Sequence, residues 1–256
     1  MISYPHGILL LTGPTGSGKT TSLYSFLKSL NKEDVNITTI EDPIENNISG
    51  VNQIQVNSKV NMTFAAALRA ILRQDPNIIM IGEIRDEETA EIAVKAAITG
   101  HLVLSTLHTN SAHGTISRLV DMGIPKYLVA DALIGAISQR LVRKLCPNCK
   151  KPHMTTPEEM KELGLTEPVQ IYEPGSCGNC NNTGYHGRTG VFEILNMNPT
   201  IKKAIEMPEF SMETIYDACV SSGMIPLKEA AKKLVLEGVT SYSEYIALLD
   251  NDTEIK

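Results

Sequence analysis

The feature that most constrains the fold of this chain is the stretch GILLLTGPTGSGKTTSLYSFL at residues 7–27. An apolar run of strand length leads into a glycine-rich segment with the spacing G-x-x-x-x-G-K-T, and a helical pattern follows. Glycines let backbone amides turn inward around an anion, and the N-terminus of the helix adds its dipole. The stretch therefore predicts a strand, a phosphate-binding loop and a helix. An accidental glycine-rich turn is the alternative.

Each residue type in this loop has an expected role. Lys19 should reach the β- and γ-phosphates of a nucleoside triphosphate, and the hydroxyl of Thr20 should bind Mg²⁺. The residues expected around the phosphates are Gly13, Pro14, Thr15, Gly16, Ser17, Gly18, Lys19, Thr20 and Thr21.

Further apolar runs rich in β-branched residues alternate with helical patterns. The predicted strands are 8–12, 78–82 and 102–106, with weaker candidates at 36–42 and 52–56. The predicted helices are 20–30, 63–73, 86–98 and 111–122. Buried strands that alternate with helices imply βαβ units, so we predict an α/β fold with a mostly parallel sheet.

The composition of the chain changes twice. Residues 146–187 are rich in Cys, Pro, Gly and Asn, and a strand is expected again at 187–195, followed by several short helices over 199–249. We therefore predict a nucleotide-binding core at 1–145, a small module at 146–187, and a strand return with C-terminal helices at 188–256.

Overall composition excludes some function classes. The 256-residue chain has 23 basic and 29 acidic residues, a net charge of −6, 5% aromatic residues and no Trp, which argues against a nucleic-acid binder. No apolar run reaches the roughly 18 residues that span a bilayer, and no signal peptide precedes the first motif. We therefore expect a cytosolic protein.

The cysteines form two C-x₂-C pairs. Cys146 and Cys149 precede Cys177 and Cys180 by 27 intervening residues. Four thiolates suit tetrahedral Zn²⁺ in a structural site, whereas two disulfides, reduced unpaired thiols and a redox pair are the alternatives. Cys219 lies in a helical pattern and is expected to be a buried apolar residue.

A carboxylate ends one of the predicted buried strands. The run 77–82 closes with Gly82 and is followed by Glu83. A carboxylate at this position costs free energy unless something pairs with it. P-loop proteins place an acid at the end of a neighbouring strand to position Mg²⁺, and we expect Glu83 to do so. A solvated carboxylate that caps the next helix is the alternative.

Several motifs carry a family resemblance. GPTGSGKT, TIEDPIE (39–45), LRQDPNIIMIGEIRD (72–86) and TGHLVLSTLHTNSA (99–112) resemble the Walker A, Asp box, Walker B and His box of the type II secretion and type IV pilus assembly ATPases. RLVRKLCPNCK and GYHGRTGVFEIL resemble later signatures. The cysteines favour the pilus-extension and secretion branch over the retraction branch, which lacks them.

The resemblance implies roles for further residues. Glu45 would orient or deprotonate the attacking water, with a surface loop carboxylate as the alternative, and Glu41 and Asp42 could assist metal binding. His101 and His108 would sense the γ-phosphate. For each histidine, a hydrogen-bonded structural residue is the alternative, and His108 is better placed because it follows its strand.

Arginines near the Walker B motif have a comparable assignment. The resemblance implies that Arg69, Arg73 and Arg85 lie at subunit contacts or near nucleotide, whereas ordinary surface salt bridges explain them equally well.

The resemblance also implies an assembly. A RecA-like core would hydrolyse ATP in a homo-oligomeric, usually hexameric, ring at the inner face of the cell membrane, where a platform protein docks. Family members carry a long N-terminal region whose arginines reach the phosphates. We therefore expect a C-terminal ATPase fragment that binds ATP with little turnover. A nucleic-acid translocating ATPase and a nucleotide-regulated binding module without turnover are the other two function classes.

Overall fold

A seven-stranded sheet is the largest element of the fold. The structure, a computed structural model, describes residues 1–253, so 254–256, at the end of the predicted 188–256 region, lie outside the described residues. The strand order is β3-β2-β4-β5-β1-β6-β9. The strands are β1 (Gly7–Thr12), β2 (Ile37–Glu41), β3 (Asn52–Gln55), β4 (Ile78–Ile81), β5 (Leu102–Leu107), β6 (Leu133–Leu145) and β9 (Tyr185–Asn196), and a separate antiparallel hairpin joins β7 (Lys151–Met154) to β8 (Gln170–Glu173).

The pairings from β3 through to β6 in the large sheet are parallel. Strand β1 pairs in parallel with β5 and β6, β2 does so with β3 and β4, and β4 does so with β5. Every residue of β1, β2, β4 and β5 is buried. Sheets built from crossover units are covered on both faces, which requires apolar runs of this kind. The predicted α/β fold with a mostly parallel sheet is confirmed.

The described residues contain ten helices, and those before residue 133 pack on the two faces of the sheet. They are α1 (Lys19–Leu30), α2 (Phe64–Ile71), α3 (Glu87–Ile98), α4 (Gly114–Asp121), α5 (Lys126–Ala132), α6 (Pro157–Leu163), α7 (Pro199–Glu206), α8 (Met212–Ser221), α9 (Leu227–Leu236) and α10 (Tyr242–Thr253). Ile8 and Leu10 of β1 pack with helices α2 to α5, whereas Leu9 and Leu11 pack with α1. This alternation follows from the two-residue period of a strand.

Helix α5 and strand β6 are two of the elements that sequence patterns missed, and β7, α6 and β8 in the cysteine-rich segment also had no assignment. The four predicted helices correspond to α1 to α4, but residues 126–145 had no assignment. Helix α5 has seven residues, too few to show a helical period, and it passes at Ala132 directly into β6. No turn residue separates the two elements, so there was no boundary signal to read.

The chain forms two compact units. Among the described residues, one unit comprises 1–138 and 194–224, and the other comprises 139–193 and 225–253. The second unit has its own apolar core, centred on the fully buried Tyr245. The boundaries predicted at 146 and 188 stay a prediction. Within the described residues, no helix combines the length and apolar character needed to cross a membrane.

Candidate nucleotide site and tetracysteine cluster

Four neighbouring strands bring the predicted site residues to one edge of the sheet. Strands β2, β4, β5 and β1 are adjacent and parallel, with Thr12 opposite Leu107 and Ile81 opposite Ser105. Parallel strands share an edge at their carboxyl ends. The phosphate loop after β1, His108 after β5 and Glu83 after β4 therefore lie along this edge.

The phosphate loop has the backbone that its glycines allow. Gly16 and Gly18 adopt φ values of 80° and 88°, a left-handed region that other residues rarely enter. Gly18 is the residue that precedes α1, so the first turn of this helix has no side-chain cap, and it contains no acidic residue. Lys19 Nζ donates to the carbonyl oxygens of Gly13 (2.7 Å) and Pro14 (3.0 Å). Uncapped amides beside an ammonium group form a site for an anion.

The other loop residues differ in exposure. Thr20 is the second residue of α1 and is half-buried, whereas Thr21 is exposed. Ser17 is buried, and Thr15 is exposed beside Pro14. The hydroxyl of Thr20 is thus placed one residue after Lys19, on the first turn of the helix.

Glu83 lies between two basic groups. Its side chain is 17% exposed, its Oε2 atom lies 3.2 Å from His108 Nε2, and its Oε1 atom accepts a short hydrogen bond from Arg85. The hydrogen bond from Arg85 holds the pKa of Glu83 below its ordinary value, outweighing burial, and His108 contributes in the same direction. The carboxylate is therefore ionised at neutral pH, as a metal ligand must be.

Glu83 does not cap the helix that follows it. Asp86 does so, because its Oδ1 atom accepts a hydrogen bond of 2.8 Å from the amide of Thr89. The sequence alternative that made Glu83 a helix cap is therefore wrong.

Hydroxyl groups fix the strand ends around this edge. Ser105 donates to the carbonyl oxygen of Ile81 (2.8 Å), and Thr106 donates to that of Gly82 (2.7 Å). Thr12 Oγ1 lies 2.7 Å from Thr109 Oγ1 and accepts from the Thr109 amide at 2.9 Å. Sequence reasoning missed all four residues. For Ser105 and Thr106, the presence of hydroxyl groups inside the apolar run LVLSTL was a signal that could have identified them.

The Asp-box segment places its acids in different environments. Glu41, the last residue of β2, is 3% exposed, and its carboxylate accepts hydrogen bonds from Tyr24, Thr39 and Gln53. Asp42 and Glu45 are exposed. Glu41 is therefore occupied by protein donors, and Tyr24 is a contact that sequence reasoning missed.

His101 is not at the same edge as His108. It precedes β5, and its Nδ1 atom lies 3.0 Å from the carbonyl oxygen of Ala96 in α3. Strand β5 has six residues, so the two histidines are separated by roughly 20 Å of strand. The predicted role of His101 in γ-phosphate sensing stays a prediction.

The three arginines occupy the surface near β4. Arg69 pairs with Glu88 of α3 at 2.6 Å, and both side chains are more than half exposed. Arg85 pairs with Glu83, and Arg73 is exposed beyond the end of α2. Salt bridges thus account for Arg69, whereas Arg85 belongs to the strand edge described above.

The four cysteines of the two C-x₂-C pairs meet in space. Their Sγ atoms all lie within 4.8 Å of one another, with separations of 3.8 Å between Cys146 and Cys177 and 3.7 Å between Cys149 and Cys180. A tetrahedral zinc ion with Zn–S bonds of about 2.3 Å spaces its sulfur ligands about 3.8 Å apart. The set could therefore hold a metal ion. Cys219 is fully buried, as predicted, in the core of the first unit.

The sequence matches known proteins along most of its length. A family profile described as "Type II/IV secretion system protein" matches residues 1–247. Type II secretion system protein E of Dickeya dadantii is 50% identical over 246 residues, which are 96% of this chain and 49% of that protein. The type IV pilus assembly ATPase PilB of Acinetobacter baylyi is 50% identical over 249 residues, 95% of this chain and 43% of that protein. The chain thus spans about half the length of these relatives.

A solved structure supports the same assignment. The crystal structure of the pilus retraction motor PilT with bound ADP matches with a TM-score of 0.73 and 32% identity, covering 96% of this chain and 62% of that one. The match to this structure and the profile match agree with one another. The chain belongs to the type II/IV secretion system protein family, whose members include secretion and pilus assembly ATPases.

Proposed function

We propose that this chain is the motor domain of an ATPase that powers assembly of pilin or pseudopilin filaments, in pilus extension or in type II secretion. One observation carries the proposal: the phosphate loop and the ionised Glu83 lie on neighbouring parts of a single sheet edge. The similarity to PilB and to type II secretion protein E supports the choice of filament assembly.

In this proposal each group at the edge has a chemical task. Backbone N–H groups of the phosphate loop would hold the phosphates together with Lys19, and Thr20 with Glu83 would hold Mg²⁺, which neutralises charge on the phosphoryl oxygens. Glu45 takes a proton from water as the water oxygen bonds to the γ-phosphorus and the bond to the bridging oxygen breaks. His108, hydrogen-bonded to Glu83, lies where it can respond to the γ-phosphate.

The proposal extends to assembly and location. We place the chain in a homo-oligomeric ring, hexameric by resemblance, on the cytoplasmic side of the inner membrane, where a platform protein receives the force. His101 would act at the opposite end of β5 from the phosphate site. Cys146, Cys149, Cys177 and Cys180 would hold a structural Zn²⁺.

Binding is tested first, on this chain. Calorimetric titration with Mg-ATP should show saturable binding, and Lys19→Ala should weaken it by about 100-fold because a charge-assisted phosphate contact is lost. Lys28→Ala removes an exposed ammonium from the last turn of the same helix and should bind as the unaltered chain does. Equal affinities for the two variants would contradict the phosphate site.

Hydrolysis is tested by single-turnover cleavage of bound γ-³²P-ATP, which registers slow reactions. Glu45→Gln should slow cleavage by about 100-fold or more while leaving ATP affinity nearly unchanged, since general-base catalysis contributes about 10²- to 10⁴-fold. Glu33→Gln, an exposed substitution after α1, is the control. Unchanged cleavage in Glu45→Gln would remove Glu45 from its role without affecting the binding assignment.

A further inference from the structure

The loop that carries Glu45 is held in place by hydrogen bonds to side chains of other elements. Residues 42–51 join β2 to β3 and contain no helix or strand. Side chains of β3 bond to its backbone: Gln53 Oε1 accepts from the Ile48 amide at 2.7 Å, and Gln53 Nε2 donates to the Asn46 carbonyl oxygen at 3.1 Å. The loop conformation therefore depends on groups that belong to other elements.

Tyr24 supplies the acceptor nearest to Glu45. Its hydroxyl oxygen accepts from the amides of Glu45 (3.2 Å) and Asn46 (3.4 Å), and its proton is donated to Glu41 Oε2. A phenol has one proton and two lone pairs, so these three bonds use its full capacity. The backbone of Glu45 is thus bonded directly to Tyr24.

Glu41, which accepts the hydrogen bond from the Tyr24 hydroxyl, is itself held by other hydrogen bonds. The other oxygen of Glu41 accepts from Thr39 at 2.6 Å and from Gln53 at 2.9 Å, and the residue is 3% exposed. Burial, together with the hydrogen bond to Glu41, raises the pKa of Tyr24, so the phenol stays protonated at neutral pH. A buried network whose members are all bonded holds a single geometry.

Tyr24 also belongs to the helix that begins at the phosphate loop. It lies five residues after Lys19 in α1 and is 6% exposed, packed in the same apolar cluster as Leu23 and Leu27. The ring cannot shift far without the helix. The Tyr24 hydroxyl group therefore connects the second turn of α1 to the backbone of Glu45.

We propose that Tyr24 is a positioning residue for ATP hydrolysis: its hydroxyl fixes the Glu45 backbone relative to the phosphate loop. The inference rests on the proposed function, because it requires Glu45 to act on the attacking water. Catalytic groups that shift by about 1 Å can lose about 100-fold in rate, so a contact of this kind has a measurable effect.

The hydrogen bonds between Tyr24 and the loop are tested by hydrogen exchange, without a measurement of ATP cleavage. In Tyr24→Phe, amide hydrogen exchange at Glu45 and Asn46 should become about three- to tenfold faster, as expected for loss of one neutral acceptor. The Ile48 amide, bonded to Gln53, should keep its rate. If Tyr24→Phe does not fold, hydrogen exchange is measured on the unaltered chain instead. The amides of Glu45 and Asn46 should then be protected from exchange. Unprotected exchange at both amides would overturn the proposal.

The catalytic half is tested by single-turnover cleavage. Tyr24→Phe should slow cleavage by about three- to 100-fold with ATP affinity within about twofold of the unaltered chain. Tyr127→Phe, an exposed hydroxyl deletion in α5, should change neither quantity. Because Tyr24 acts through Glu45, Tyr24→Phe should have no further effect when added to Glu45→Gln.

The outcomes separate this inference from the proposed function. Normal cleavage in Glu45→Gln overturns the assignment of Glu45. Slow cleavage in Glu45→Gln with normal cleavage in Tyr24→Phe overturns only the positioning role. An undiminished effect of Tyr24→Phe in the Glu45→Gln background would show that Tyr24 acts by another route.

Discussion

At the residue scale, Glu83 shows how two basic neighbours keep a partly buried carboxylate ionised. It ends a buried strand, where an isolated carboxylate would tend to take up a proton. Arg85 and His108 supply compensating donors, and the pKa is lowered as a result. The Glu83 carboxylate is therefore ionised at neutral pH although it is partly buried.

Replacing Glu83 should give a pH-dependent loss of stability. The folded-state pKa lies below the ordinary value of 4.5, so the stabilisation is present above pH 4.5 and is lost as the pH falls through the folded pKa. We expect Glu83→Gln to lower the free energy of unfolding by about 1 kcal/mol at pH 7, because Arg85 and His108 are largely exposed and the attraction is screened.

The measurement is urea unfolding from pH 7 down to pH 3. The difference between the unaltered chain and Glu83→Gln should shrink below about pH 4.5, as the unfolded-state carboxyl group takes up a proton. Glu33→Gln removes an exposed charge and serves as the matched control. A difference that stayed constant with pH would contradict the ionic account.

At the element scale, the helices differ in whether a side chain caps their first turn. Thr63, Asp86, Asn198 and Ser211 each cap the helix that follows them with a side-chain oxygen. Helix α1 begins instead after Gly18, which has no side chain to offer. No side-chain oxygen therefore caps the first turn of α1, whereas each of the other four helices has one such acceptor.

Removing a cap should weaken a supporting helix. Asp86→Ala deletes the acceptor of the Thr89 amide and of the Thr89 hydroxyl at the start of α3. We expect a loss of about 1 kcal/mol in the free energy of unfolding, the typical value for an N-cap substitution. Asp217→Ala, at an exposed position within α8, should stay within about 0.5 kcal/mol of the unaltered chain.

Thermal or urea unfolding of both variants checks this prediction. Equal stability of Asp86→Ala and Asp217→Ala would mean that Asp86 does not stabilise α3. ATP affinity in Asp86→Ala gives a second readout, because α3 follows the Glu83 strand end.

At the scale of the whole molecule, the two compact units have different sources of stability. The first is built on the buried parallel sheet with apolar clusters on both of its faces. The second contains a two-stranded hairpin, short helices and the four cysteines around a smaller core. A small core needs additional crosslinks, and a metal ion bound by the four thiolates would supply one.

Metal removal should therefore act on the second unit. After chelation, we expect faster hydrogen exchange in β7, β8 and the cysteine segments, with β1 and β5 keeping their protection. Added Zn²⁺ should restore the original rates, and Cys149→Ser should reproduce the effect of chelation. Unchanged exchange after complete removal of metal would contradict a structural metal site.

Local patterns predicted much of the fold and part of the site. The sequence GILLLTGPTGSGKTTSLYSFL specifies β1, the loop and α1 because strand, turn and helix signals follow one another without conflict. The position of Glu83 at a strand end and the two C-x₂-C pairs were likewise readable. Helix α5 and strand β6 were not, since a short helix that runs directly into a strand shows no clear period.

What the sequence alone determined is therefore the set of chemical groups: a phosphate loop, an acid at a strand end and four paired thiols. Only the tertiary structure decided which of them meet. It brought His108 to Glu83 and joined Tyr24 to Glu41 and to the backbone of Glu45. These contacts depend on strand order and on which face of α1 is buried. Both are set by packing between residues distant in the chain, which local periodicity does not encode.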